Sequence, residues 1–234
     1  MQNDLNFETF LFFGPKKIIL SVNKKKDFKQ IYKEEILIDS YSNGLNFEKL
    51  DDFINKNIFK VEKILDSFIQ NMNIAILTED LFTLKISVKK NNHNEKIDHS
   101  TLIYLLNNAK EDCKESIKNK KIIHIIIDNY LVNNSSYQEL PANIKCKSFS
   151  LDLSFICLPE DLVRNVEKIL KTYQISVNQF LSASYVDEYS NKLSLEFFQS
   201  MSKIIDGVNI NEVKLVQKTS KNKGFFEKFF DFFS

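Results

Sequence analysis

The side chains able to do chemistry are few and scattered. The four glycines, Gly14, Gly44, Gly207 and Gly224, stand far apart, so no P-loop, dinucleotide fingerprint or other glycine-rich phosphate cradle can form locally. His93, His99 and His124 share no metal-ligand spacing with cysteines or carboxylates. His124 sits in an apolar run and reads as a satisfied core histidine rather than a base. Glu79-Asp80 and Asp51-Asp52 pair carboxylates at loop or helix positions, where solvated charge is the default. Cys113, Cys146 and Cys157 fit neither a disulfide framework nor a zinc site and read as buried thiols of a reducing cytosol. No catalytic, cofactor-binding or metal-binding residue is expected, and the chain is expected not to be an enzyme.

The strongest local pattern is Gly224-Phe-Phe-Glu-Lys-Phe-Phe-Asp-Phe-Phe-Ser234. On a helical wheel Phe225, Phe226, Phe229, Phe230, Phe232 and Phe233 fall within an arc of about 160°. Glu227, Lys228 and Asp231 fill the other side. Such a helix suits a membrane interface, and Lys221, Lys223 and Lys228, with Lys218, would meet anionic lipid. Burying six phenylalanines contributes roughly 9–18 kcal/mol, and ordering the segment costs about 10–20 kcal/mol. One tail is thus expected to bind reversibly, with stable attachment needing several copies on one assembly.

Composition narrows the classes. In 234 residues, 32 basic and 31 acidic side chains give a net charge of +1, which argues against nucleic-acid binding. Arg164 is the sole arginine, which removes bidentate phosphate readout. Met1-Gln-Asn-Asp-Leu5 lacks a basic n-region and an apolar h-region, so no secretory signal is expected. No stretch approaches the ~20 apolar residues of a membrane span.

The elements that must position these residues are legible from periodicity. Lys121 to Asp128 is a β-branched run for a strand covered on both faces. Phe149 to Cys157 alternates like a half-buried strand, and Pro159 opens a helix to Tyr173 with Glu160 and Asp161 in its first turn. Earlier, Thr9–Leu20 reads as two strands around Gly14-Pro15, and Ile31–Asp39 as a third. Asn46 caps a helix over 47–71, and strands follow at 73–77 and 81–90. A polar loop is expected over 89–96, and Asp98 caps a helix over 99–118. Residues 133–143 read as a loop, Ile175–Val177 as a short strand, Asp187–Asn191 as a linker, Leu193–Asp206 as a helix and Val208–Gln217 as a last short strand.

This order resembles FtsA, the actin-like bacterial cell-division protein that tethers the FtsZ ring to the membrane. Phe12-Phe-Gly-Pro-Lys-Lys-Ile18 sits where that family has its first phosphate motif, Asp-Ile-Gly-Thr-Ser-Lys-Ile. Lys121-Ile-Ile-His-Ile-Ile-Ile-Asp-Asn-Tyr130 is similar to its strand Leu-His-Val-Ile-Pro-Gln-Glu-Tyr, with His124 and Tyr130 in register. Asp98–Cys113 resembles its acidic-capped helix, Leu151–Tyr173 its next strand and helix, and the tail its C-terminal membrane-targeting helix.

The resemblance implies an α+β chain: a partial actin-like (ribonuclease H-like) subdomain 1A over 1–78 and 159–190, with an inserted SHS2-like 1C domain over 79–158. A short helix and strand (191–217), a basic linker (218–223) and the C-terminal amphipathic helix (224–234) follow. The second actin lobe is expected to be absent. Phe12 replaces the nucleotide-site aspartate, and Pro15 and Lys16 replace hydroxyl residues, so ATP binding is expected to be lost. The implied function is a cell-division adaptor on the cytoplasmic side of the membrane, at the division site. Its implied partners are anionic lipid, later division proteins through the 1C-like domain, and further copies of itself. FtsZ stays an open partner, because the family's contact for it lies on the missing lobe. Two alternatives stand beside this reading: an ATP-dependent actin-like polymer with a substituted site, and a pilus- or secretion-type actin-like adaptor.

Overall fold

A computed structural model describes residues 6–38, 44–141 and 144–214. The tail from Gly224, its linker and the end of the strand expected over 208–217 lie outside the described residues. The described chain divides into two units. One holds the described residues of Met1–Phe82 with Asn119–Ile123 and Leu158–Val208; the other holds those of Thr83–Lys118, His124–Cys157 and Asn209–Ser234. The fold is mixed α/β.

The first unit is built on a five-stranded sheet. β1 (Phe7–Phe13), β2 (Lys17–Lys24) and β3 (Gln30–Leu37) form the expected antiparallel meander. α1 (Phe47–Leu65) then leads to β4 (Asn71–Ile76), which lies parallel to β1. Among the later elements, β9 (Ser176–Ser182) pairs parallel with β4. The order is β3-β2-β1-β4-β9. β1 is apolar on both sides because both faces of the sheet are covered. Phe10 and Phe12 face a core shared with α4 (Ala183–Leu193) and α5 (Phe197–Ile205). On the next residue Phe13 meets Phe47 of α1 at 5.6 Å between ring centroids.

α1 buries Leu50, Ile54, Ile58 and Val61 at helical spacing, with Phe53 beside them. It ends six residues before the expected boundary at Asn71. Asp66 turns left-handed at φ 48 and donates its N–H to Glu62 O, closing the helix. Phe68, inside the expected range 47–71, lies past the end of α1 and is exposed. α3 (Glu160–Thr172) carries Leu162, Val163, Val166 and Leu170 inward, with Pro159 at its N-cap rather than its first turn. The linker expected at Asp187–Asn191 is instead helical, inside α4. Its few buried side chains, Ala183, Val186 and Ser190, gave little apolar periodicity. α5 starts four residues later than expected and ends as foreseen, with Gly207 at φ 77 just past it.

The second unit holds a four-stranded sheet ordered β5-β8-β6-β7, with α2 (His99–Cys113) alongside. β5 (Phe82–Lys96) runs through the expected polar loop, with His93 and Asn94 at positive φ. β6 (Lys120–Val132) and β8 (Lys145–Pro159) extend past the lengths their apolar cores suggested. The expected loop over 133–143 contains β7 (Ser135–Tyr137). Asn133 and Asn134, at φ 50 and 69, make the tight turn into it, a conformation asparagine tolerates best after glycine. α2 stops at Cys113, short of the expected 118, and turns continue the chain to β6.

Candidate interaction surface

The turn between β1 and β2 is the position that the resemblance assigns to a phosphate motif. Here Phe12 is buried and meets the Phe197 ring edge-on at 5.5 Å. Lys17 Nζ lies 5.4 Å from the centroid of the Phe12 ring. Gly14 passes so close that a Cβ there would lie 2.8 Å from Phe12 Cε1 and force the ring to shift. Its N–H donates to Lys17 O at 3.0 Å. The turn is filled by an aromatic ring, and the amide that a phosphate would seek closes the turn itself. Asp187, on α4, has its carboxyl held above the ordinary range by burial, with Lys17 opposing that shift.

In the second unit, residues 209–213 run beside β6. Ile127 N–H donates to Asn211 O at 2.8 Å and Val213 N–H to Ile125 O at 2.9 Å, an antiparallel bridge centred on Ile126 and Glu212. His124 Nδ1 lies 2.7 Å from Glu212 Oε1, with the imidazole fully buried. His124 is thus a satisfied core histidine, as its setting suggested. Tyr130 O–H donates to Asn211 Oδ1 at 3.3 Å, and Asn211 Nδ2 donates to Gln138 O at 2.8 Å. Burial pushes the Tyr130 phenol up, and nearby Glu139 adds to the shift. The strand expected over 208–217 therefore exists, among the described residues, as this single bridge. Its partner was invisible to sequence reasoning, since β6 lies some eighty residues upstream.

α2 crosses near this bridge and leaves an apolar groove of about 310 Å³. Leu102, Ile103 and Leu106 of α2, Ile127 of β6, Leu140 and Val213 supply its apolar lining. Asp98 fixes the start of α2, its Oδ1 accepting from Thr101 N–H at 2.8 Å. The four-stranded sheet also carries a polar depression of about 490 Å³ bordered by Lys85, Ser87, Asp128 and Asp152. There Ser87 Oγ donates to Asp152 and Ser154 Oγ to Asp128, each at 2.6 Å. The carboxylates are held by hydroxyls of their own sheet.

Phe225, Phe226, Phe229, Phe230, Phe232, Phe233, Lys221, Lys223 and Lys228 lie outside the described residues. Cys113, Cys146 and Cys157 are buried and are not joined in a disulfide. Among the described residues no group of three or more His, Cys, Asp or Glu is placed to hold a metal ion, and no helix is long and apolar enough to cross a membrane.

No protein-family model matches the chain, and no curated protein does. Solved structures do resemble it. The cytoplasmic domain of EpsL, an inner-membrane component of the type II secretion system of Vibrio cholerae, is similar at 11% identity and a TM-score of 0.40, covering 77% of this chain and 58% of that one. The PilM–PilN type IV pilus biogenesis complex is similar at 9% identity and a TM-score of 0.48, covering 80% and 50%. A Bacteroides thetaiotaomicron protein with an actin-like ATPase fold is similar at 12% identity and a TM-score of 0.34, covering 80% and 57%. The chain spans between half and three-fifths of the length of these three.

Proposed function

We propose that this chain is a non-enzymatic adaptor that holds a protein assembly at the inner face of the cell membrane. The observation that carries the reading is the packing of Phe12 against Phe197 over Gly14. An actin-like subdomain that used nucleotide would need a carboxylate and free amides at that turn. This one has a buried ring and an amide already bonded. With the nucleotide site closed, what remains is a scaffold: the first unit as a rigid base, the SHS2-like second unit as the partner surface, and the phenylalanine tail as the anchor. The resemblance to FtsA assigns the assembly to cell division, with later division proteins as partners.

Flotation with anionic vesicles tests the anchor. Full-length chain, a chain ending at Lys223 and Phe229→Asp are compared. Flotation of the full chain alone is the expected result. Equal behaviour of all three would remove the membrane from the reading. Calorimetry with Mg-ATP is expected to give no isotherm, and a clear one would restore the nucleotide-dependent polymer. A tagged chain forming midcell rings would support division, whereas foci elsewhere on the envelope would move the adaptor to a pilus or secretion assembly.

A further inference from the structure

We infer that the groove between α2 and β6 is the docking site of this chain's own phenylalanine-rich segment, residues 225–233, which shuttles between the groove and an outside apolar surface. The groove is concave and lined mainly by aliphatic side chains, and at about 310 Å³ it lies in the range of sites that enclose an apolar ligand. The described chain reaches its rim: Val213 lines the groove while its N–H is bonded to Ile125 O. Residues 215–224 then separate Lys214 from Phe225. A ten-residue tether reaches at most about 33–36 Å, ample for a return to a groove that begins beside Val213. Tethering also sets an effective concentration on the order of millimolar, so weak contacts suffice.

The chemistry of the two sides matches. Phe226, Phe229 or Phe230, and Phe233 recur at spacings of three and four, the anchor pattern of a helix laid in a groove. Glu139 is exposed at the rim, and Lys218, Lys221 and Lys223 lie along the tether. The same phenylalanine face cannot occupy groove and membrane together. Docking therefore lowers the apparent membrane affinity by the fraction of chains held closed. That consequence rests on the membrane reading above; the docking itself does not.

The chain contains no tryptophan, so Phe229→Trp introduces a single reporter into the full chain. Without vesicles, its emission is expected to be blue-shifted and shielded from acrylamide. Adding Ile103→Asp on α2 is expected to shift the emission to the solvent-exposed value and raise quenching several-fold. Leu140→Asp, at the more exposed rim, is expected to do the same and serves if the α2 variant does not fold. Solvent-like emission from Phe229→Trp alone would overturn the inference. So would blue emission indifferent to both groove variants, which would put the segment elsewhere. Emission that reddens on dilution would assign the groove to a second copy's tail and overturn the intramolecular form. If fluorescence holds while vesicle flotation fails, the segment docks on the protein and the membrane reading falls alone.

Discussion

His124 Nδ1 and Glu212 Oε1 stand 2.7 Å apart, joining the middle of β6 to a segment eighty-eight positions later. The imidazole has no exposure and the carboxylate little. Buried polar groups of this kind are costly unless paired. Two backbone hydrogen bonds flank the pair, from Ile127 to Asn211 and from Val213 to Ile125. The segment that borders the groove is therefore held by this buried pair, a short backbone ladder and the Asn211 side chain, which accepts from Tyr130 and donates to Gln138 O.

Glu212→Ala should loosen this segment and leave His124 buried without that partner. The expected cost is about 1–3 kcal/mol, the range for removing one partner of a buried polar group. Hydrogen exchange at the amides of Ile127 and Val213 should accelerate. Glu212→Gln, which keeps an acceptor, should have a smaller effect. Unchanged exchange at both amides in Glu212→Ala would show that the pair does not hold the segment.

Asp98 offers a test that depends on pH. The Thr101 backbone N–H bonded to its carboxylate holds it below the ordinary aspartate value of 3.8, helped by the Thr101 and Ser100 hydroxyls. A depressed folded value means that its stabilisation is fully present above the unfolded value and is lost as pH falls through the folded one. Asp98→Ala should cost about 0.5–2 kcal/mol at neutral pH. The gap between the two proteins in chemical denaturation should narrow as pH drops below 3.8. A gap constant through that window would rule the ionised cap out.

Tyr173 gives the alkaline counterpart. Burial, then its hydrogen bond to Asp51 Oδ1 at 2.8 Å, pushes its phenol up to about 12. A raised folded value contributes stability below the ordinary value of 10 that is lost as pH rises through about 12. Ultraviolet titration of the folded chain should show a late tyrosine component that Tyr173→Phe removes. Asp51→Asn should move that component to lower pH, since the like charge beside the forming phenolate is gone.

Local pattern carried much of the first unit. The β1–β2–β3 meander, the α1 stripe from Leu50 to Val61 and the Asn46 and Asp98 caps are properties of neighbours in sequence. What failed was of three physical kinds. Asp66 ends α1 by a left-handed turn that apolar spacing does not encode. β5 continues through Asn91–Lys96 because pairing in a sheet can carry a strand whose side chains are polar. Residues 187–191 are helical although they bury little besides Ser190, so their periodicity was lost in surface polarity. The groove was least visible of all. Its walls are α2, β6, Leu140 and Val213, brought together by tertiary pairing alone.

Phe12 decides between a scaffold and a nucleotide switch, and its packing can be measured directly. Phe12→Ala removes a ring that is buried in the core shared with α4 and α5. The expected cost is about 3–5 kcal/mol, the usual range for phenylalanine truncation in a core. Phe197→Ala should cost less in that background than alone, because the edge-on pair at 5.5 Å has already been broken. A coupling of about 0.5–1.5 kcal/mol is expected from a double-mutant cycle. Phe12→Asp introduces the carboxylate that the resembled phosphate motif carries, yet Gly14 N–H remains bonded to Lys17 O and Pro15 has no N–H to offer. It should destabilise the fold and still give no isotherm with Mg-ATP. Tight nucleotide binding by Phe12→Asp would mean that the turn retains a working phosphate site and that the ring alone blocks it.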